Sequence, residues 1–142
     1  MTTQAPHPIR LEHVIFTRSI VVAVPGHIKN PQLLANAPVT TINVAKVEGE
    51  PKSYEASMQL VINPQADKAD PYHIEMECHA KLIVDDTLSD EDAYRGVFIT
   101  AHTVLYGAIR EAVAWITTRQ PYGGLMLGLS VLNPTPKKNA VQ

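Results

Sequence analysis

The sequence predicts an α+β fold: a four-stranded antiparallel sheet followed by one long helix. Two observations carry this reading. Along residues 72–84, Ile74, Met76, Cys78 and Ala80 alternate with Glu75, Glu77, His79 and Lys81, giving a strand one apolar and one polar face. After Ser89 the period changes. Val97, Ala101, Val104, Leu105, Ala108, Ala112 and Ile116 recur at three- and four-residue steps, which is one face of a helix.

The remaining elements follow in chain order. Residues 1–10 are polar, hold two prolines and read as a disordered arm. Leu11–Val24 is rich in β-branched residues and stops at Pro25-Gly26, a first strand closed by a turn signal. Residues 25–38 form a long connection that suits a crossover better than a hairpin. A second strand is expected at Val39–Val47 and a third at Tyr54–Ile62, with a turn at Glu48-Gly49-Glu50-Pro51 between them. The fourth is the alternating segment from Tyr72 to Val84. Ser89 followed by Asp90-Glu91-Asp92 reads as an N-cap with acids in the first turn, which the helix dipole favours. Gly96 and Gly107 weaken the case for one unbroken helix, and Pro121-Tyr122-Gly123-Gly124 stops it. The state of Leu125–Leu132 is left open, and 133–142 reads as a flexible basic tail. One domain over 11–132 results. A helix layer covers only one sheet face, so the other must be polar or covered by another chain.

Composition excludes several classes. With 142 residues, 45% apolar content and a net charge of −2, the chain suits one globular domain. No field strong enough for nucleic acid or an acidic membrane is implied. One cysteine, Cys78, rules out a disulfide framework and fits a reducing compartment. The N-terminal residues lack a basic stretch followed by an apolar one, and no apolar run approaches the ~20 residues that span a bilayer. A cytoplasmic location without membrane insertion is expected.

Catalytic signatures are missing from the sequence: no nucleophile elbow, phosphate loop, dinucleotide fingerprint or zinc spacing occurs. His73, Cys78 and His79 are the best metal candidates, but Cys78 and His79 are strand neighbours and point to opposite faces. The acids Asp85, Asp86, Asp90, Glu91 and Asp92 lack EF-hand spacing and read as a solvated helix start. Arg110-Glu111 lies mid-helix, where neighbours do not face each other, so a structural ion pair is expected there. Neither an enzymatic activity nor a cofactor is expected.

Ile15-Phe16-Thr17-Arg18-Ser19-Ile20 through Pro25 resembles the first strand of the SecB export chaperone family. Tyr54-Glu55 is similar to the start of its third strand. Leu105-Tyr106-Gly107-Ala108-Ile109-Arg110-Glu111 resembles its long-helix motif. Thr118-Arg119 with Tyr122 and Leu125-Met126-Leu127 resembles the segment after that helix. The resemblance spans roughly residues 11–132. It implies a four-stranded antiparallel sheet with a crossover, packed on a long helix, in a cytoplasmic homotetramer built as a dimer of dimers. Long apolar grooves would hold unfolded or nascent polypeptides. Ser19 and Ala23 stand where the family carries acids that contact the motor SecA, so weak SecA binding is expected. A further acidic position is kept as Glu77, the candidate partner-binding residue. The family's second helix and acidic tail have no counterpart in the short, basic C-terminus.

The function expected is therefore an ATP-independent holdase serving protein export. The alternative is a partner-specific oligomer of the same fold, such as a toxin–antitoxin chaperone or a phage component. Clients would bury apolar side chains in an adaptable groove. The candidate groove residues are Phe16, Val22, Met76, Tyr106, Tyr122, Leu125 and Met126. Ile20 and Met58 are weaker candidates for which ordinary packing is favoured. Tyr122 and Met126 rank highest because they follow the helix stop.

Overall fold

The computed structural model describes residues 7–28 and 34–130. It contains β1 (Ile9–Ala23), β2 (Val39–Val47), β3 (Glu50–Ile62), β4 (Tyr72–Val84) and α1 (Asp90–Thr117). The strands form one sheet in the order β1-β4-β3-β2, with every neighbouring pair antiparallel. β1 and β2 occupy opposite edges, so the connection between them crosses the width of the sheet, as the sequence predicts. The N-terminal arm through residue 6, the tail expected at 133–142 and the end of the apolar run at Val131-Leu132 lie outside the described residues.

Two strands start earlier than their sequence signals. β1 begins at Ile9, which pairs with Val84. β3 begins at Glu50, because β2 and β3 are joined by the two-residue turn Glu48-Gly49. Gly49 has φ 80°, the left-handed conformation such a hairpin turn requires. The pairing register breaks between Lys46, opposite Tyr54, and Val47, opposite Glu50. The bulge so formed accommodates Pro51, which has no N–H to give to a ladder.

β4 is central, and it alternates between fully buried and half-buried residues along its whole length. Its buried set, Tyr72, Ile74, Met76, Cys78, Ala80, Leu82 and Val84, joins Tyr54, Ala56, Met58, Leu60 and Ile62 of β3 beneath α1. The helix answers with Ala93, Val97, Ala101, Leu105, Ile109, Val113 and Thr117, one residue in every four. A strict four-residue step drifts about 40° per contact around a 3.6-residue helix. The stripe therefore winds off the face expected from sequence: Ile109 and Val113 are buried, while Ala108, Ala112 and Ile116 are only partly so.

α1 runs unbroken through both internal glycines. Ser89 caps it, its side chain accepting from the Asp92 amide at 3.2 Å. Gly96 packs closely on β1: an added Cβ would lie 2.7 Å from Ile9 Cδ1, the tip of a side chain that would have to turn aside. Among the described residues, and apart from the helix's own backbone, nothing lies within 4 Å of the corresponding position at Gly107. One core group is unsatisfied: the Tyr54 hydroxyl is buried without a hydrogen-bond partner among the described residues.

Candidate functional site

Beyond the helix, residues 124–130 form an extended strap that returns along α1. Four contacts fix its path. The Leu125 amide donates to Thr117 Oγ1 (2.8 Å), Arg110 Nε donates to the Leu127 carbonyl (2.7 Å), and the Tyr106 hydroxyl donates to the Gly128 carbonyl (2.6 Å). His102 Nε2 lies 3.1 Å from Ser130 Oγ. His102, Tyr106 and Arg110 are spaced by four, so they make one row on the flank of the helix. The His102 and Tyr106 rings stack within it, with centroids 6.3 Å apart.

The strap buries Leu127, which is 2% exposed, and leaves Met126 at 65% and Leu129 at 83%. Met126 and the outward side of α1 enclose an open groove of about 510 Å³ lined by Gly107, Arg110, Glu111, Ala114, Trp115 and Thr118. Trp115 is 78% exposed there. Large apolar groups left in contact with water at one place mark an interaction surface.

The strap's approach is pinned by tyrosines. Tyr72 donates to the Gly123 carbonyl (2.6 Å) and accepts from the Tyr122 amide (3.1 Å). Tyr122 donates to the Val24 carbonyl (2.7 Å) and packs edge-on against His27. Burial raises the pKa of the Tyr72 and Tyr106 hydroxyls, so both remain donors.

The opposite sheet face is open and polar at its centre. Glu77 accepts from Thr17 Oγ1 (2.8 Å) and Gln59 Nε2 (2.9 Å), with His79 Nε2 at 2.8 Å. These hydrogen bonds, His79 foremost, lower the Glu77 carboxyl to about 2. Arg18 pairs with Glu75 at 3.0 Å beside it. Cys78, on the buried side of the same strand, is pushed up to about 11 by burial, which keeps it a protonated thiol.

The sequence candidates thus divide. Tyr106, Leu125 and Met126 all lie on the helix and its strap, but only Met126 lines the groove; Tyr106 holds Gly128, Leu125 packs against the core, and Tyr122 anchors the strap's entry. Phe16 and Val22 do not join them: both are exposed on edge strand β1, and the register sets Phe16 opposite Cys78 and Val22 opposite His73, on different faces. Met76 is 1% exposed and Met58 fully buried, so both are core residues beneath α1 and not groove residues. Glu77 belongs to the open face. Arg110, expected in an ion pair, instead holds the Leu127 carbonyl. Trp115, Leu129 and His102 were not signalled by the sequence pattern, although Trp115 opposes the buried stripe at its end of the helix and its position could have been read from that.

No family model matches the sequence, and no curated protein is similar enough to match it. Solved structures do match. The strand order, antiparallel sheet and single long helix define a SecB-like fold. One structure with this architecture is the Mycobacterium tuberculosis SecB-like chaperone Rv1957, solved in complex with a ChAD peptide from the Rv1956 HigA1 antitoxin. It is 18% identical, with 87% of this chain and 91% of that one covered at a TM-score of 0.64. A protein of unknown function from Streptococcus agalactiae matches at 14% identity, covering 88% of this chain and 100% of that one, with a TM-score of 0.53.

Proposed function

We propose that this chain is an ATP-independent holdase that binds unfolded polypeptides. The observation that carries the reading is the surface on α1 and its strap, where Trp115 and Met126 line an open groove and stand largely in water, with Leu129 exposed further along the strap. An unfolded client would bury its own apolar groups there at roughly 25 cal/mol per Å². Met126 is unbranched and repacks easily, which suits varied sequences. Holding consumes no nucleotide, and release follows mass action or transfer.

The working form in this reading is a cytoplasmic homotetramer, a dimer of dimers. Edge strand β1 supports self-association, being 15 residues long with Leu11, Ile15, Phe16 and Val22 exposed. Delivery to SecA would be weak, because Ser19 and Ala23 supply no charge for steering. A partner-specific reading is favoured by one observation, that the mycobacterial structure of this fold was solved with an antitoxin peptide. In that case a defined partner would replace general clients of export.

The test measures assembly mass and suppression of aggregation of a reduced, unfolded protein on one preparation. A general holdase protects unrelated clients, and Met126→Ser with Leu129→Ser weakens client affinity by about tenfold or more while the thermal midpoint holds. Protection of one partner alone would favour the specific reading. No protection of any polypeptide would refute both. A particle of only 15.6 kDa in sedimentation at micromolar concentration would remove the tetramer.

A further inference from the structure

We propose that the flank of α1 beneath the strap is a receptor for an extended polypeptide segment, and that residues 124–130 are its resident occupant, displaced when a client binds. This deepens the holdase reading and rests on it for the identity of the visitor. From Leu125 to Ser130 the strap advances five residues while its helix partners recede from Thr117 to His102. Fifteen helical residues rise about 22 Å, a span that five residues approach only when fully extended, helped by side-chain reach. The occupant is therefore in the conformation an unfolded chain readily offers.

The chemistry of recognition is independent of sequence. Arg110 and Tyr106 donate to main-chain carbonyls, and Thr117 accepts from a main-chain amide. Every polypeptide carries those groups. One side chain, Leu127, is fully buried, and Leu125 packs partly buried against the core. The receptor thus reads a backbone with two apolar anchors two residues apart, a pattern that many apolar segments supply.

The resident is also weakly seated. No backbone–backbone hydrogen bond holds residues 124–130 among the described residues. Gly124 and Gly128 raise the entropy it loses on docking, and Met126 and Leu129 gain little from it. Segments with so few buried contacts open at the low end of a protein's local stabilities.

The test uses the full chain and a labelled synthetic peptide of residues 122–130. Leu127→Asp removes the resident's fully buried anchor and leaves the receptor intact. If the receptor is free about a tenth of the time in the native chain, the variant binds the peptide about tenfold more tightly. Adding Arg110→Met and Tyr106→Phe abolishes that gain. A folded Leu127→Asp variant with unchanged or weaker peptide binding overturns the proposal. Should that variant fail to fold, hydrogen exchange on the native chain decides: millimolar peptide speeds exchange of the Leu125 amide, which Thr117 Oγ1 holds, if the strap is displaced, and unchanged exchange at that amide overturns the proposal. The two readings fail separately. Strap exchange with peptide but no protection of unfolded proteins discards the holdase and keeps the receptor, whereas client protection with an undisturbed strap places the client elsewhere and discards the receptor.

Discussion

The two faces of the sheet are built from the same strands yet obey different rules. Under α1, β3 and β4 present only apolar side chains, all nearly excluded from water. On the open face the same strands present Gln59, Glu75, Glu77 and His79; Gln59 and His79 bond to Glu77, and β1 joins them through Thr17 on Glu77 and Arg18 on Glu75. The covered face holds the fold together, while the open one is polar and solvated at its centre. The apolar groups that lack a cover lie on edge strand β1, where Ile15 and Val22 share the open face, and on the outer side of the helix and strap.

Substitutions one position apart on β4 sharpen this contrast. Met76→Ala empties space beneath the helix and is expected to cost about 2–5 kcal/mol in denaturant unfolding. Glu75→Ala, on the adjacent residue, should stay within about 1 kcal/mol because its pair with Arg18 is exposed. Equal losses would show that the open face is covered in solution. The covered face has one flaw, and Tyr54→Phe removes it. Deleting a buried, unpartnered hydroxyl should stabilise by about 1 kcal/mol, and a destabilised variant would reveal a partner for that oxygen. On the outer side of α1, Gly107→Ala meets no neighbour and should add about 0.5–1 kcal/mol by helix propensity. A loss of assembly on that change would instead mark close approach of another chain.

The smallest effect concerns acid. Glu77 titrates near 2 in the folded chain and at 4.5 when free of its partners. Its contribution is complete above 4.5 and fades as pH falls toward 2, since the unfolded chain takes up the proton first. Glu77→Gln should therefore flatten that limb of the stability–pH curve by lowering stability modestly at neutral pH, while the two proteins converge as pH falls toward 2. A limb of unchanged slope would assign acid sensitivity to other carboxylates.

How much of this was legible in the sequence depended on whether a residue's neighbours repeat. β4 is legible because period-two alternation survives along all its length. The helix is legible too, but its buried stripe is not, since Ile109 and Val113 follow a four-residue ladder that a fixed-face count does not trace. The early start of β3 was hidden by Pro51, which argues against a strand unless a bulge is known. The strap carries no period at all. Its position is set by side chains of α1 reaching its main chain, and Arg110 next to Glu111 suggested an ion pair instead. Met76 looked like an adaptable groove residue because methionine composition says nothing about which side of a strand the helix will cover.

The chain contains one tryptophan, and it sits in the groove beside Met126. All indole emission from the protein thus originates at a single water-exposed spot on the outer face of α1. At rest that emission should be red-shifted and open to quenching by iodide or acrylamide. An apolar segment settling into the groove would move it to the blue and shield it, so the native protein carries its own optical gauge of occupancy, with no label attached.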